Sequence, residues 1–551
     1  MKKYFWVLII FLLFILQIID KGYWSEVTDW KEDQATNLWL GYTQSPLNMP
    51  VGLISSKSIP NPNGMVIIGL FLSRLPTLWS MSLTIGLIQS ALLLWLAWLL
   101  FKKKAEFFWF CLPALASVVL RATSVEFWNQ WMLTSINLLF WGLWINYLQN
   151  PSSLKIPWFI LLILIAPAIY MGGLVNAVLF LIFILVGFCM AHPKGSLKTH
   201  ILSAAISLLL ILLSVWLTWI PYFNATHGYD IPGSHLTLLD LQNRIFWTFK
   251  SGISFPIWNS VLWSKNMGAL FYQGSSEILP VNAIRFFKLT NYILFAQSIL
   301  FLTIILLNFI YFKLSPKTTR KFFIVGYEFQ GFILLAGYVF IIFAYMLSPL
   351  LGGFVWANGD RMDQQIQFFP FFLFAWFTIP FVLNLPHLLK IISKGLTFVL
   401  IVGFILTSLI NGSQVITSYL QYNGNVLTNS DVTLRDKMQV VDFVAKDWKL
   451  TSNDKNIPIY YDMGIGRWAW EIDFGKKLEP WYPSVFTIGR CFDFELLRVY
   501  GLNNSQEGIR LRSPDAARYI VTYAFMPEPN IPNGSVTNYL FGRLRVSIIS
   551  R

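Results

Sequence analysis

Charge is scarce in this chain. Only 12% of its 551 residues are charged, while 56% are hydrophobic. A soluble protein of that length needs more charge to cover its surface, so an ordinary soluble enzyme is excluded. Cysteine is scarce as well. Cys111 and Cys189 lie in apolar runs, Cys491 stands alone, and their spacing suits neither a disulfide framework nor a zinc site. His227 and His235, eight residues apart, form no metal motif. The sequence thus assigns no metal and no cofactor, and leaves a divalent metal neither required nor excluded. Internal repeats and low-complexity tracts are absent. After the opening Met1-Lys2-Lys3 and its apolar run, no small-residue cleavage site follows, and Gln17-Ile18-Ile19-Asp20-Lys21 reads as part of a retained helix. A basic domain for nucleic acid is also missing: the net charge of +14 is spread in small groups between apolar runs.

What is present is a series of apolar segments of membrane-spanning length. Eleven helices are expected, at 4–19, 81–101, 106–120, 131–148, 157–171, 174–191, 200–221, 291–312, 323–350, 367–385 and 395–411. Pro167 and the Gly172-Gly173 step allow two readings of 157–191, a turn between two short spans or a kink in one long one. Lys2, Lys3, Lys102 to Lys104, Lys155, Lys194, Lys198, Lys313, Lys317, Arg320, Lys321, Lys390 and Lys394 all fall on alternate short loops. The positive-inside rule therefore puts the N-terminus in the cytoplasm and the C-terminal region outside. The fold expected is mainly α: a polytopic domain over 1–411, with outer loops at 20–80, 121–130, 222–290 and 351–366. A small extracytoplasmic α/β domain over 412–551 follows. Within it a helix is expected at about 432–449, and strands at Ile457 to Tyr461, Arg518 to Tyr523 and Tyr539 to Ile549. The spans carry almost no ionisable residue near their midpoints, which argues against an ion-coupled transporter.

The candidate chemistry lies in the outer loops. Asp29-Trp30-Lys31-Glu32-Asp33 opens the first of them. Asp29 and Glu32 have the spacing of a helix cap. Asp33 is left as a candidate general base at a partly dry boundary, with Glu32 as either cap or base. Gln34 to Leu40 is expected to form a short amphipathic helix on the membrane surface. Ser55-Ser56-Lys57-Ser58, in a turn-rich loop, offers a cation and backbone amides to a phosphate, although a surface turn with Lys57 in solvent explains it as well. Arg361 stands at the outer end of an apolar helix, where an arginine either binds a lipid phosphate bidentately or anchors the helix at the interface. Arg74 also faces outward. So do Arg121 and Glu126, which read as a local ion pair or, for Glu126, as a possible second acid.

Together these features resemble the GT-C superfamily of integral-membrane glycosyltransferases, which includes the protein O-mannosyltransferases and the aminoarabinose transferases of lipid A. The resemblance rests on a first helix followed by an outer acidic pair (Glu32-Asp33-Gln34-Ala35), and on a proline-containing step into an apolar stretch (Asn61-Pro62-Asn63-Gly64-Met65). A late outer arginine before a proline-containing helix (Arg361-Met362 to Phe369-Pro370) and a closing outer domain complete it. The acids stand in the reverse of the family's usual order, Met362 replaces its tyrosine, and Asn129 stands nearest to the acid some members carry in the second outer loop. The resemblance implies transfer of a sugar from a polyprenyl-phosphate donor to a glycan, lipid or protein acceptor at the outer face of the plasma (inner) membrane. It implies Asp33 or Glu32 as the base, and Arg361, with Lys57 or Arg74, as the phosphate site. The chief rival is a transporter or flippase of lipid-linked glycans. A third reading is an assembly protein anchored by its spans, for which eleven spans are excessive.

Overall fold

The computed structural model describes residues 14–22, 25–26, 32–43, 49–54, 60–101, 129–227, 434–462, 489–505, 516–524, 526–529 and 534–550, with a few single positions besides. Helix makes up 71% of this part, so the mainly α class is shown. The spans expected at 106–120 and at 291–312, 323–350, 367–385 and 395–411 lie outside it.

Helix α1 covers residues 14–22. It is followed by α2 (Glu32–Thr43), the hairpin β1 (Val51–Ile54) and β2 (Pro60–Pro62), α3 (Gly64–Leu72) and α4 (Leu78–Phe101). Next come α5 (Asn129–Gln149), α6 (Ile156–Ile169), α7 (Leu174–Met190) and α8, which runs Leu197–Thr226 through a π-helical turn at Val215–Trp219. Three stretches, Leu78–Leu99, Met171–Met190 and Leu197–Thr226, are long and apolar enough to cross a membrane. The two readings of 157–191 resolve into two helices. Tyr170 is extended (φ −152°, ψ 129°) and a 3₁₀ turn at Met171–Gly173 follows, whereas Pro167 sits inside α6 without ending it.

Aromatic packing holds the bundle. Trp141 and Trp144 of α5 are fully buried, and Phe140 stacks on Phe180 of α7 at 3.9 Å. The indole N–H of Trp144 donates to the Phe183 carbonyl at 2.7 Å. Thr134, Ser135 and Asn137 of α5 are buried, as are Ser82, Gln89 and Ser90 of α4. The two ends of the bundle draw on different parts of the chain. At one end Gln149 donates to the Leu99 carbonyl at 2.9 Å. There Lys155 Nζ also donates to the carbonyls of Asn146 and Asn150, at 2.8 and 2.7 Å. At the same end the Ser153 N–H donates to the Lys194 carbonyl at 3.1 Å. At the other end the loop between α1 and α4 meets the α6–α7 turn and the π turn of α8, as the next section describes.

The C-terminal part contains α9 (Leu434–Thr451) and α10 (Arg490–Glu495), with a four-stranded sheet ordered β4-β6-β8-β7. Its strands are β4 (Ile459–Asp462), β6 (Tyr519–Tyr523), β7 (Ser535–Phe541) and β8 (Leu544–Ser550). β4 and β6 are parallel and the other pairs antiparallel. Two short strands, β3 (Asn456–Ile457) and β5 (Asn503–Asn504), pair separately. Apolar positions 440, 441, 444, 445 and 448 recur at helical spacing and bury one face of α9 on the sheet, against Ile459, Tyr461, Tyr519, Val521 and Val546. Asp436 in the first turn of α9 and Lys449 in the last complement the helix dipole. The strand expected over Tyr539 to Ile549 is corrected to a hairpin. The chain turns at Gly542-Arg543, with Gly542 at φ +56°, the positive value a two-residue hairpin turn requires.

Candidate functional site

Helix α2 lies where α3, the segment before α5 and α10 meet. The acids Glu32 and Asp33 form its first turn, the end of a helix at which negative charge is favoured. The expectation that Gln34 to Leu40 forms a short amphipathic helix on the membrane surface is corrected. Gln34, Ala35, Thr36, Asn37, Leu38, Leu40 and Gly41 are all buried, so α2 is enclosed by protein on several sides. The cap assigned to Asp29 lies outside the described residues.

Three partners enclose it. The first is α3, whose crossing is set by glycine. A β-carbon on Gly41 would lie 2.7 Å from the Val66 carbonyl oxygen, and one on Gly69 would lie 2.5 Å from that of Asn37. The second is the segment before α5, where the Phe127 N–H donates to Gln34 Oε1 at 3.0 Å. The third is α10, from the far end of the chain. The Arg490 guanidinium lies 4.1 Å from the ring centre of Trp39, and Phe494 meets Tyr42 edge-on at 5.9 Å. Leu434, Cys491 and Phe494 share one buried cluster with Ala35, Leu38 and Met65. The lone Cys491 of the sequence is thus a core residue at this junction.

The Asn-Pro-Asn step reinforces the same end of the bundle. Asn61 and Pro62 lie in β2 of the β1–β2 hairpin, where Val51 pairs with Pro62 and Ile54 with Pro60, and Asn63 is the N-cap residue of α3. Asn61 Oδ1 accepts from the Met171 N–H at 3.0 Å, which fixes the α6–α7 turn. Asn63 Nδ2 donates at 3.0 Å to the Leu217 carbonyl inside the π turn of α8. Such turns break the regular ladder, and a side-chain donor here engages one of the carbonyls involved.

The C-terminal part is fastened to the segments flanking α2 and α3 by polar contacts too. Arg498 donates to the Pro76 carbonyl at 2.7 Å and is paired with Glu495 at 2.5 Å. The Arg435 N–H donates to Glu26 Oε1 at 3.1 Å. Glu495 is 1% exposed, and burial pushes its carboxyl above the usual range, against the pull of Arg498. Asp493 beside it accepts from the Tyr461 hydroxyl at 2.8 Å and from Asn504 at 3.0 Å. At the end of α1, Lys21 is buried 3.6 Å from Asp20, and Trp79 donates to the Gly22 carbonyl at 3.2 Å.

The expected site residues are distributed unevenly. Glu32 and Asp33 lie together on α2. Arg74 is exposed and sits over the Tyr42 ring at 5.5 Å. Tyr42 is nine residues beyond Asp33, about 13 Å along the helix axis, so Arg74 marks the opposite end of α2 from the acids. Lys57, Glu126 and Arg361 fall outside the described residues. Arg490 and Arg498 were missed by sequence reasoning. The only signal for Arg490 is the alternation of charged and aromatic residues in Arg490-Cys491-Phe492-Asp493-Phe494-Glu495, and Arg498 lies just beyond it. Among the described residues, no three His, Cys, Asp or Glu side chains gather as a metal site. The two carboxylates stand on the first turn of a helix that three partners pack at positions 34 to 42, a suitable support for proton abstraction. No family model matches the chain, and neither the curated proteins nor the solved structures contain a significant match to it.

Proposed function

We propose that this protein is a polytopic membrane glycosyltransferase of GT-C type, with eleven spans, a cytoplasmic N-terminus and a C-terminal domain outside the plasma (inner) membrane. The observation that carries this reading is the enclosure of α2. The acidic pair stands on a helix gripped by α3, by the segment before α5 and by α10, rather than on a solvated loop. The contacts at the bundle ends support the topology. Residues 61, 63, 127, 171 and 217, all on the outer side in this reading, lie at elements that meet one another, as do residues 99, 149, 155 and 194 on the inner side.

In the reaction, the carboxylate of Asp33 or Glu32 takes the proton of an acceptor hydroxyl or amine. The acceptor atom bonds to the anomeric carbon as the bond from that carbon to the phosphate oxygen breaks. The electron pair leaves with the polyprenyl phosphate, and the anomeric centre inverts. Arg361 and Lys57 are assigned to the leaving phosphate, where fixed cations stabilise developing charge. Arg74, at the far end of α2, is left to the lipid boundary.

The test is transfer in membranes from labelled polyprenyl-phosphate sugars, comparing the wild type with Asp33→Asn, Glu32→Gln, Arg361→Ala and Arg74→Ala. One acid substitution and Arg361→Ala should lower the rate at least 100-fold, the scale of general-base and charge-stabilising effects, while insertion is unchanged. Arg74→Ala should retain most of the activity. Full activity in the first three variants rejects the site.

A further inference from the structure

The C-terminal part reaches the acid-bearing helix through one polar side chain of particular interest. Arg490 is 0% exposed, and its guanidinium lies 4.1 Å from the ring centre of Trp39 in the middle of α2. Burying a guanidinium is expensive, and an apolar residue of similar size would fill the same space without that desolvation. Apolar contact between the two helices is already supplied by Cys491 and Phe494, which share the buried cluster with Ala35 and Leu38. The contact of the Arg490 guanidinium with the Trp39 ring adds direction. Apolar packing resists separation but only weakly resists rotation, whereas a planar cation seated on an indole face favours one orientation of that ring.

The orientation of Trp39 bears on the acids. Glu32 is seven residues earlier, two turns back on nearly the same face of α2, and Asp33 is its neighbour. With side-chain tips roughly 6 Å from the helix axis, a 10° rotation of α2 moves a carboxylate by about 1 Å. Displacement on that scale can lower a rate about 100-fold.

We infer that Arg490 is a positioning residue: by seating its guanidinium on Trp39, the C-terminal domain fixes the rotation of α2 and so the placement of the Glu32-Asp33 turn. The assignment of a catalytic task to that turn rests on the glycosyl-transfer reading; the mechanical link between Arg490 and α2 does not.

The experiment uses the full-length protein in lipid nanodiscs, with Arg490→Met, Arg490→Lys, Trp39→Phe, Trp39→Leu and the Arg490→Met/Trp39→Leu pair. Amide exchange is followed over 32–43, with 519–523 and 544–550 as internal controls, and transfer kinetics are measured with a polyprenyl-phosphate sugar. In Arg490→Met, exchange over 32–43 should quicken at least tenfold while the two control strands stay protected. Its kcat should fall 10- to 100-fold, with donor KM changing less than threefold. Arg490→Lys and Trp39→Phe, which keep a cation or a ring face, should recover most of both signals, and the double variant should be no worse than the worse single one. Unchanged exchange in α2, equal loosening of the control strands, or a normal kcat despite a loosened α2 would each overturn the proposal. If the wild type transfers no sugar, the glycosyl-transfer reading fails, and the exchange arm still decides whether Arg490 holds α2.

Discussion

At the scale of single residues, the closest backbone approach around the candidate site depends on hydrogen in place of a side chain. Gly41 and Gly69 let α2 and α3 cross so tightly that a β-carbon on either would meet a carbonyl oxygen of the other helix, at 2.7 and 2.5 Å. Small residues at helix crossings in membrane proteins serve this close approach. The atoms in the way are backbone, so relief requires moving a whole helix. Gly41→Ala and Gly69→Ala should each destabilise the protein by about 3 kcal/mol, the upper end of overpacking effects. The double variant should lose less than the sum, because both substitutions open the same crossing. Thermal unfolding of the purified protein in detergent measures this. A loss below about 0.5 kcal/mol in both single variants would show that the crossing is not tight.

Among the elements, those with long periodic patterns were legible in the sequence. The helices at 129–149, 156–169, 174–190 and 434–451 lie within about two residues of expectation, because their apolar runs or apolar faces set them apart from the flanking loops. Shorter elements were not legible. The β1–β2 hairpin is rich in proline and reads as loop, and six-residue α10 alternates charged and apolar residues in a manner that fits no single period. The alternation of Tyr539 to Ile549 runs on through Gly542 and conceals a turn. That turn carries a prediction. An alanine at φ +56° is strained by about 1–2 kcal/mol, and its β-carbon would lie 2.5 Å from Asp436 Oδ2. Gly542→Ala should therefore cost about 2 kcal/mol or more and speed amide exchange in β7 and β8. Combining it with Asp436→Ala should relieve the crowding but not the backbone strain. Full restoration by the second change would assign the whole effect to Asp436.

Across the whole molecule, the decisive contacts join residues far apart in sequence, which is why the acids of the candidate site were legible and their supports were not. Arg498 meets the Pro76 carbonyl across 422 residues, and nothing local to either position announces the other. This junction also buries a titratable group. Glu495 is held beside Arg498, yet burial is the larger influence and raises its carboxyl above the usual range, with Asp442 adding to the rise. The folded state thus holds the proton more tightly than the unfolded chain. By linkage, the stability that Glu495 contributes is full below the ordinary glutamate value of about 4.3 and is lost as pH climbs through the raised one. Glu495→Gln keeps the shape and remains neutral, so it should remove this dependence. The difference in stability between wild type and Glu495→Gln isolates Glu495 from the other carboxylates. It should move in favour of the glutamine protein as pH rises from 4 to 8, in thermal unfolding of the full-length protein. The opposite slope would mean that the pairing with Arg498 outweighs the desolvation of the carboxylate, and that the junction is fastened by an ion pair that strengthens with pH.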